Sequence, residues 1–380
     1  MHSTNKWDEG GLPMYVGLWG WFWQEEVRAI RTGDAPVMRL IELIRKGWAY
    51  RRSAESDKML ATFREAAALA SGTEHACWEL FCRYWACTTL FYHVDDLQGA
   101  LRETVELISQ AHRPHFAQCP IRGRIYFLLS DIYYTIDPFG YEDKIREAYT
   151  HLTEQIGMDE DTHLRVKHRL ADLAFLYENY DEAFDRVTSY MATAQDNHFR
   201  MRSAYMLLHR IAFARGDIPL ALEHAKQVAF FAGDIDAHED VGISILWEAA
   251  CEQRLGNTVK ARSLYKKAMH LFDAYDLPHW AYYYNACCDY LEMCGDPEQA
   301  LHLREKETQA YIAYGSVWYV GRTHLQTARL LGRMGRNCDE VLEHAEALTK
   351  DMLKPAIYLS KVERIRKGDY YEFAWQGVTR

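Results

Sequence analysis

Proline is scarce in this chain, with nine in 380 residues, and glycine contributes only 22. So few turn-formers leave little room for the many short strands and tight turns of a β-sandwich or barrel. Sustained alternation of apolar and polar residues is missing too, which removes a strand reading throughout, Ser316–Val320 being the nearest exception. The short motifs that announce chemistry are absent: His-Glu-x-x-His, Gly-x-x-x-x-Gly-Lys-Ser/Thr, Gly-x-Ser-x-Gly and Gly-x-Gly-x-x-Gly do not occur. There is no basic excess, since 44 Lys and Arg face 54 Asp and Glu, for a formal charge of −10. That balance argues against a phosphate-gripping surface, and no direct nucleic-acid contact is expected.

Long apolar runs are lacking as well. The longest of note, Leu12–Trp23, has twelve residues, against roughly 20 for a bilayer span. It has neither a basic lead-in nor a small-residue cleavage site, so a cytoplasmic location is expected. Nine cysteines occur without any Cys-x-x-Cys. They read as reduced thiols in small core positions, and with no two close ligand pairs neither a metal nor a cofactor is expected.

What the chain does have is aromatic residues, at 13%, and helical periodicity. Residues 202–272 hold the clearest repeat, two copies of helix, tight turn, helix, with turns at Arg215-Gly216-Asp217 and Leu255-Gly256-Asn257. Five residues past each glycine stands a small residue, Ala221 or Ala261, which lets a second helix lie close to the first. Extending the pattern predicts pairs at Val37–Arg52 with Asp57–Ala70, Glu74–His93 with Asp95–Ala111, Ile121–Ile136 with Tyr141–Ile156, and Thr162–Tyr177 with Tyr180–Ala194. Then come Phe199–Arg215 with Ile218–Ala232, Val241–Leu255 with Val259–Tyr275, Trp280–Cys294 with Pro297–Ala313, and Val317–Met334 with Asp339–Met352. The register residues Met59, Ala100, Ile145, Ala183, Ala221, Ala261, Ala300 and Glu340 are separated by 41, 45, 38, 38, 40, 39 and about 40 residues. Self-similarity at such a period marks an α-solenoid, whose units cannot bury their apolar faces alone. The expected organisation is a Trp-rich segment over 1–35, eight helix pairs over 36–353, and a capping helix with an aromatic tail over 354–380. Trp19, Trp21, Phe22 and Trp23 are too crowded for one helical face. They read as a cap on the array or as a docking patch for a partner or a membrane surface.

These units resemble tetratricopeptide repeats. Glu178-Asn179-Tyr180-Asp181-Glu182-Ala183 matches the family turn with Glu178 in place of glycine, and Gly47, Tyr50, Phe63 and Ala66 fall on family positions, as do Tyr265 and Ala268. Arg304 and Glu307 depart from it, standing where an aromatic and Ala are expected. The period near 40 is similar to the longer variant of bacterial signal-responsive regulators and peptide-sensing phosphatases. The resemblance implies an all-α, right-handed solenoid of antiparallel helix pairs that binds a protein or peptide in a groove lined by the first helix of each pair. The residues it places in that groove are Trp48, Arg51, Trp85, Tyr92, Ser130, Tyr134, Arg165, His168, Asp172, Phe175, Ser203, Met206, Arg210, Phe213, Gln253, Tyr282, Asn285, Asp289, Arg322 and Arg329. Rings there would cover apolar side chains, and arginines would favour an acidic segment or a free carboxylate.

Other constellations are weaker. Asp234–Asp240 begins like a calcium loop, but Glu239 stands where glycine is needed and Ile245 where glutamate is needed. His112-Arg113-Pro114-His115 reads as a loop, and Tyr282-Tyr283-Tyr284 as groove wall and core. The expected function is a non-enzymatic adaptor or scaffold within a larger assembly. The rival is a peptide-responsive regulator of transcription or of a phosphorelay, and an enzyme without a recognisable motif comes last.

Overall fold

The computed structural model describes residues 6–7, 13–14, 17–52, 55–71, 76–117, 119–154, 160–195, 197–235, 237–274 and 281–370. Apart from β1 (Lys6–Trp7), paired antiparallel with β2 (Pro13–Met14), the described elements are helical. Contacts divide the chain into two compact units, Met1–His163 and Leu164–Arg380.

The first unit holds α1 (Gly17–Thr32), α2 (Ala35–Arg52), α3 (Ser56–Ser71), α4 (Ala76–Tyr92), α5 (Leu97–Ala111), α6 (Arg122–Ile136) and α7 (Glu142–Glu154). The second begins within α8 (Glu160–Leu176) and continues with α9 (Tyr180–Ala194), α10 (His198–Ala214), α11 (Ile218–Asp234), α12 (His238–Arg254) and α13 (Thr258–Ala274). It ends with α14 (Ala281–Cys294), α15 (Pro297–Tyr314), α16 (Val317–Arg333), α17 (Asp339–Leu348) and α18 (Pro355–Arg366). Among the described residues a helix stands at each of the sixteen predicted positions, and α18 follows them.

The turns explain the boundaries. Asp96, Asn179, Asp217 and Asp296 each accept a backbone N–H three residues on, capping the following helix, an interaction worth about 1 kcal/mol. The residue before each such cap must take a left-handed backbone. Gly216 and Gly295 do so freely at φ of +78° and +84°, whereas Asp95 and Glu178 are forced there at +59° and +60°. For glutamate that conformation costs on the order of 1 kcal/mol.

Burial separates the helices into two layers. In the second unit α10 buries eleven of its 17 residues and α12 ten, whereas α11 buries five and α13 three. Helices buried nearly all round lie between neighbours, and those with a narrow buried stripe face solvent. The first helix of each pair is therefore the inner one. The glycines of the inner helices permit close approach: a Cβ at Gly47 would lie 2.7 Å from the Phe63 ring, and one at Gly242 2.7 Å from Phe272.

At the start of the first unit, α1 packs its Leu18 and Phe22 inward. Trp21 meets Trp78 with ring centres 4.7 Å apart, Trp19 meets Trp48 at 5.5 Å, and Trp48 meets Trp85 at 5.6 Å. Trp19 and Trp23 remain 42% and 48% exposed. Tyr371, Phe373 and Trp375 of the aromatic tail lie outside the described residues.

Candidate functional site

Equivalent positions on successive inner helices are neighbours in space, so polar contacts recur at one repeat length. Arg210 reaches from α10 to Asp172 on α8, 38 residues back, at 3.1 Å. Arg202 reaches Asp240 on α12, 38 residues on, at 2.6 Å. Arg329 on α16 reaches Glu292 on α14, 37 residues back, at 2.6 Å. Asp172 also lies 3.4 Å from Arg169 and 3.5 Å from His168, and the Arg210 guanidinium lies over the Phe175 ring at 4.3 Å.

Between α14 and α16 these contacts merge into a buried ionic cluster. Arg304 of α15 donates to Asn285 at 2.6 Å, Glu307 at 2.7 Å, and Asp289 and Glu292 at 3.2 Å each. Arg322 donates to Glu307 at 2.7 Å and to the Tyr311 hydroxyl at 3.3 Å. The buried charges balance, with Arg304, Arg322 and Arg329 against Asp289, Glu292 and Glu307. Burial opposes the Arg304 charge, but the Cys288 sulfur and then the three carboxylates more than offset it, and its pKa rises. The sequence marked this place, for Arg304 and Glu307 are the two departures from the repeat pattern. It did not show that their partners would be Asp289, Glu292 and the inner-helix arginines.

The structure places most of the expected groove residues on inner helices and buries them. Phe175, Met206, Phe213, Asn285, Asp289, Arg322 and Arg329 are all buried, as are Asp172 and Arg210. Arg165, His168, Ser203 and Gln253 are partly exposed. In the first unit Trp85, Ser130 and Tyr134 are buried and Trp48 and Tyr92 partly so, the Tyr92 hydroxyl donating to Asp131 at 2.8 Å. Arg51 and Tyr282 lie on α2 and α14, with side chains outside the described set.

Several buried polar atoms on the inner helices, mostly donors, remain unused. Buried nitrogens of Arg210 (Nη2) and Arg329 (Nη1), and both ends of the Gln326 amide, have no hydrogen-bond partner. Sequence reasoning passed over Gln326, yet it lies four residues beyond Arg322 and three before Arg329, on their helical face. A buried polar group left unpaired costs about 1–3 kcal/mol, so such a set marks a place suited to acceptors.

Burial dominates the titratable groups nearby. Burial lowers the His168 pKa despite Asp172 beside it. Burial likewise lowers His209 to about 4; its Nδ1 donates to the Ala221 carbonyl at 2.9 Å, and its ring stacks on Trp247. Burial pushes the Cys251 thiol up to about 12. Asp234, in the calcium-like loop, pairs with His198, and Asp236 lies outside the described residues. Among the described residues no group of three His, Cys, Asp or Glu is placed to hold a metal, and no helix is long and apolar enough to cross a membrane.

One expectation is corrected. The cysteines are not all reduced thiols: Cys77 at the start of α4 and Cys119 ahead of α6 form a disulfide. Their 42-residue separation carries no spacing signal, and only the packing of the α5–α6 connection against α4 brings them together. The other seven cysteines are free.

No protein-family model matches the sequence, and no curated protein is significantly similar to it. Solved structures are similar in fold. A Rap protein complexed with competence and sporulation factor is 12% identical with a TM-score of 0.54, over 87% of this chain and 98% of that one. BtubC from P. vanneervenii is 18% identical with a TM-score of 0.42, over 64% of this chain and 94% of that one. A signal transduction ATPase with a tetratricopeptide repeat sensor, from Pyrococcus horikoshii, is 16% identical with a TM-score of 0.39, over 82% of this chain and 51% of that one. The helix pairs are tetratricopeptide-like repeats, and the fold is all-α.

Proposed function

We propose that this chain is a non-enzymatic scaffold that binds a peptide or an extended segment of a partner protein on the inner helices of Leu164–Arg380. The observation that carries the reading is the set of unpaired donors on those helices, at Arg210, Gln326 and Arg329. An extended peptide brings backbone carbonyls and carboxylates, the acceptors such donors need. The fold supports the reading, since the Rap chain of similar fold was solved with a bound factor. That complex also favours a refinement in which the bound segment is a signal and the chain a sensor.

The test begins with peptides selected from a displayed random library against the full chain. Gln326→Met removes an unsatisfied buried amide and keeps its volume. It is expected to weaken the selected peptide at least about tenfold while leaving the melting temperature equal or higher. Val259→Glu, on the outer helix α13 at an 87% exposed position, should change nothing. Equal affinity in Gln326→Met would remove the inner helices from the binding face.

A further inference from the structure

Arg210, Gln326 and Arg329 on the inner helices of the second unit are buried, so a ligand reaches them only if the unit parts. We propose that α18 is a releasable latch, in which the Glu178–Lys361 ion pair joins the two ends of Leu164–Arg380 and controls access to the inner helices. The inference rests on the reading of those helices as the binding face.

Three observations carry it. First, α18 is seated firmly at the far end of the unit. Tyr358, Val362 and Ile365 are buried, and the Tyr358 hydroxyl donates to the Gly321 carbonyl of α16. Gly321 makes room for that ring, because a Cβ there would lie 2.7 Å from the Tyr358 hydroxyl. Second, the same buried face of α18 carries Lys361, which reaches the turn after α8 near the beginning of the unit. Lys361, only 7% exposed, donates to the Glu178 carboxylate, 183 residues away in sequence. Burial pushes the Lys361 pKa down and the Glu178 carboxylate works against that. Third, Glu178 occupies a left-handed backbone position where three matching turns use Gly216, Gly256 and Gly295 and a fourth uses the shorter Asp95. Glycine would hold that turn without strain. A strained residue in place of a relaxed one points to a task for its side chain, and the contact with Lys361 supplies it.

The latch is also coupled to the inner helices at both ends. Glu178 lies one turn beyond Phe175, which stacks under Arg210. Gly321, which holds Tyr358, immediately precedes Arg322 of the ionic cluster. Displacing the inner side chains therefore disturbs the supports of the latch.

Glu178→Gly separates the latch from mere structure, since it relaxes the turn while deleting the carboxylate. In the full chain its melting temperature should match or exceed the wild type. Amide exchange across 355–366 should nevertheless rise about tenfold, and small-angle scattering should show a larger radius of gyration. Lys361→Met should open the unit in the same way. The charge exchange Glu178→Lys with Lys361→Glu should bring both readouts back to within about twofold of the wild type. Carbodiimide treatment of the wild type should yield the amide between Lys361 Nζ and the Glu178 carboxyl, found by peptide mass spectrometry. Wild-type exchange in Glu178→Gly, or no recovery in the charge exchange, would overturn the latch. If the latch variants open as stated but Gln326→Met leaves peptide affinity intact, the binding face falls and the latch stands. The reverse pattern removes the latch alone.

Discussion

Between α10 and α13 the space among the helices is filled by Met206, Val228, Ile243, Leu246, Trp247 and Phe272. Between α14 and α16 part of the corresponding space holds Arg304, Glu307, Arg322 and Arg329. The frame is the same in both stretches, a helix pair with a capped turn, and the filling differs in kind. An apolar filling depends on shape and volume, and it tolerates substitutions that preserve them. An ionic filling depends on partners, because each buried charge is stable only while its opposite is in place. The repeat pattern is therefore a rule about helix spacing, and the chemistry that fills the space can change from one repeat to the next.

The largest expected effect lies in the ionic stretch. Arg304→Ala takes the shared guanidinium from Asp289, Glu292 and Glu307, leaving Glu307 to Arg322 and Glu292 to Arg329, and should cost about 3–5 kcal/mol in urea unfolding. Replacing the cluster as a group with apolar residues of similar volume should cost far less. If the two designs cost the same, the cluster is a set of independent contacts and the contrast fails.

Acid probes the apolar stretch. His209 stays neutral there because burial lowers its pKa to about 4, against an ordinary 6.5. Its contribution is fully present above pH 6.5 and is lost as pH falls toward 4, where the unfolded chain binds the extra proton. The loss amounts to about 3 kcal/mol at most. Urea midpoints at neutral and acid pH should fall on that side, and His209→Asn should flatten the slope.

Shape is tested next. Gly242→Ala drives a methyl into the Phe272 ring and should cost about 1–3 kcal/mol, recovered in part by Phe272→Leu in the same chain. The smallest effect belongs to an exposed pair of the same repeat spacing. Arg336 and Glu298, 38 residues apart, are 51% and 72% exposed. Arg336→Ala should cost less than about 0.5 kcal/mol. A larger loss would mean that repeat-spaced ion pairs matter wherever they occur.

Much of this architecture was legible in the residues. Gly216-Asp217 and Gly256-Asn257 marked turns, and small residues such as Ala221 and Ala261 marked the close second helices; the boundaries follow within a few residues. Gly47 and Phe63 were legible as family positions, and the structure shows them in contact. The partition into two units was not legible, because the period runs on through His163. Nor were the partners of Arg210 and Arg329. A sequence shows a charge on a face, but whether that charge meets solvent or a carboxylate one repeat away depends on how tightly the inner layer closes. Lys361 and Glu178 were beyond reach for the same reason, since nothing local connects residues so far apart.

The central claim is that the inner helices are the binding face, and calorimetry with a selected peptide on wild type and Gln326→Met tests it most directly. The account predicts at least about tenfold weaker binding in a protein that melts no lower than the wild type. Undiminished affinity in that variant would contradict it.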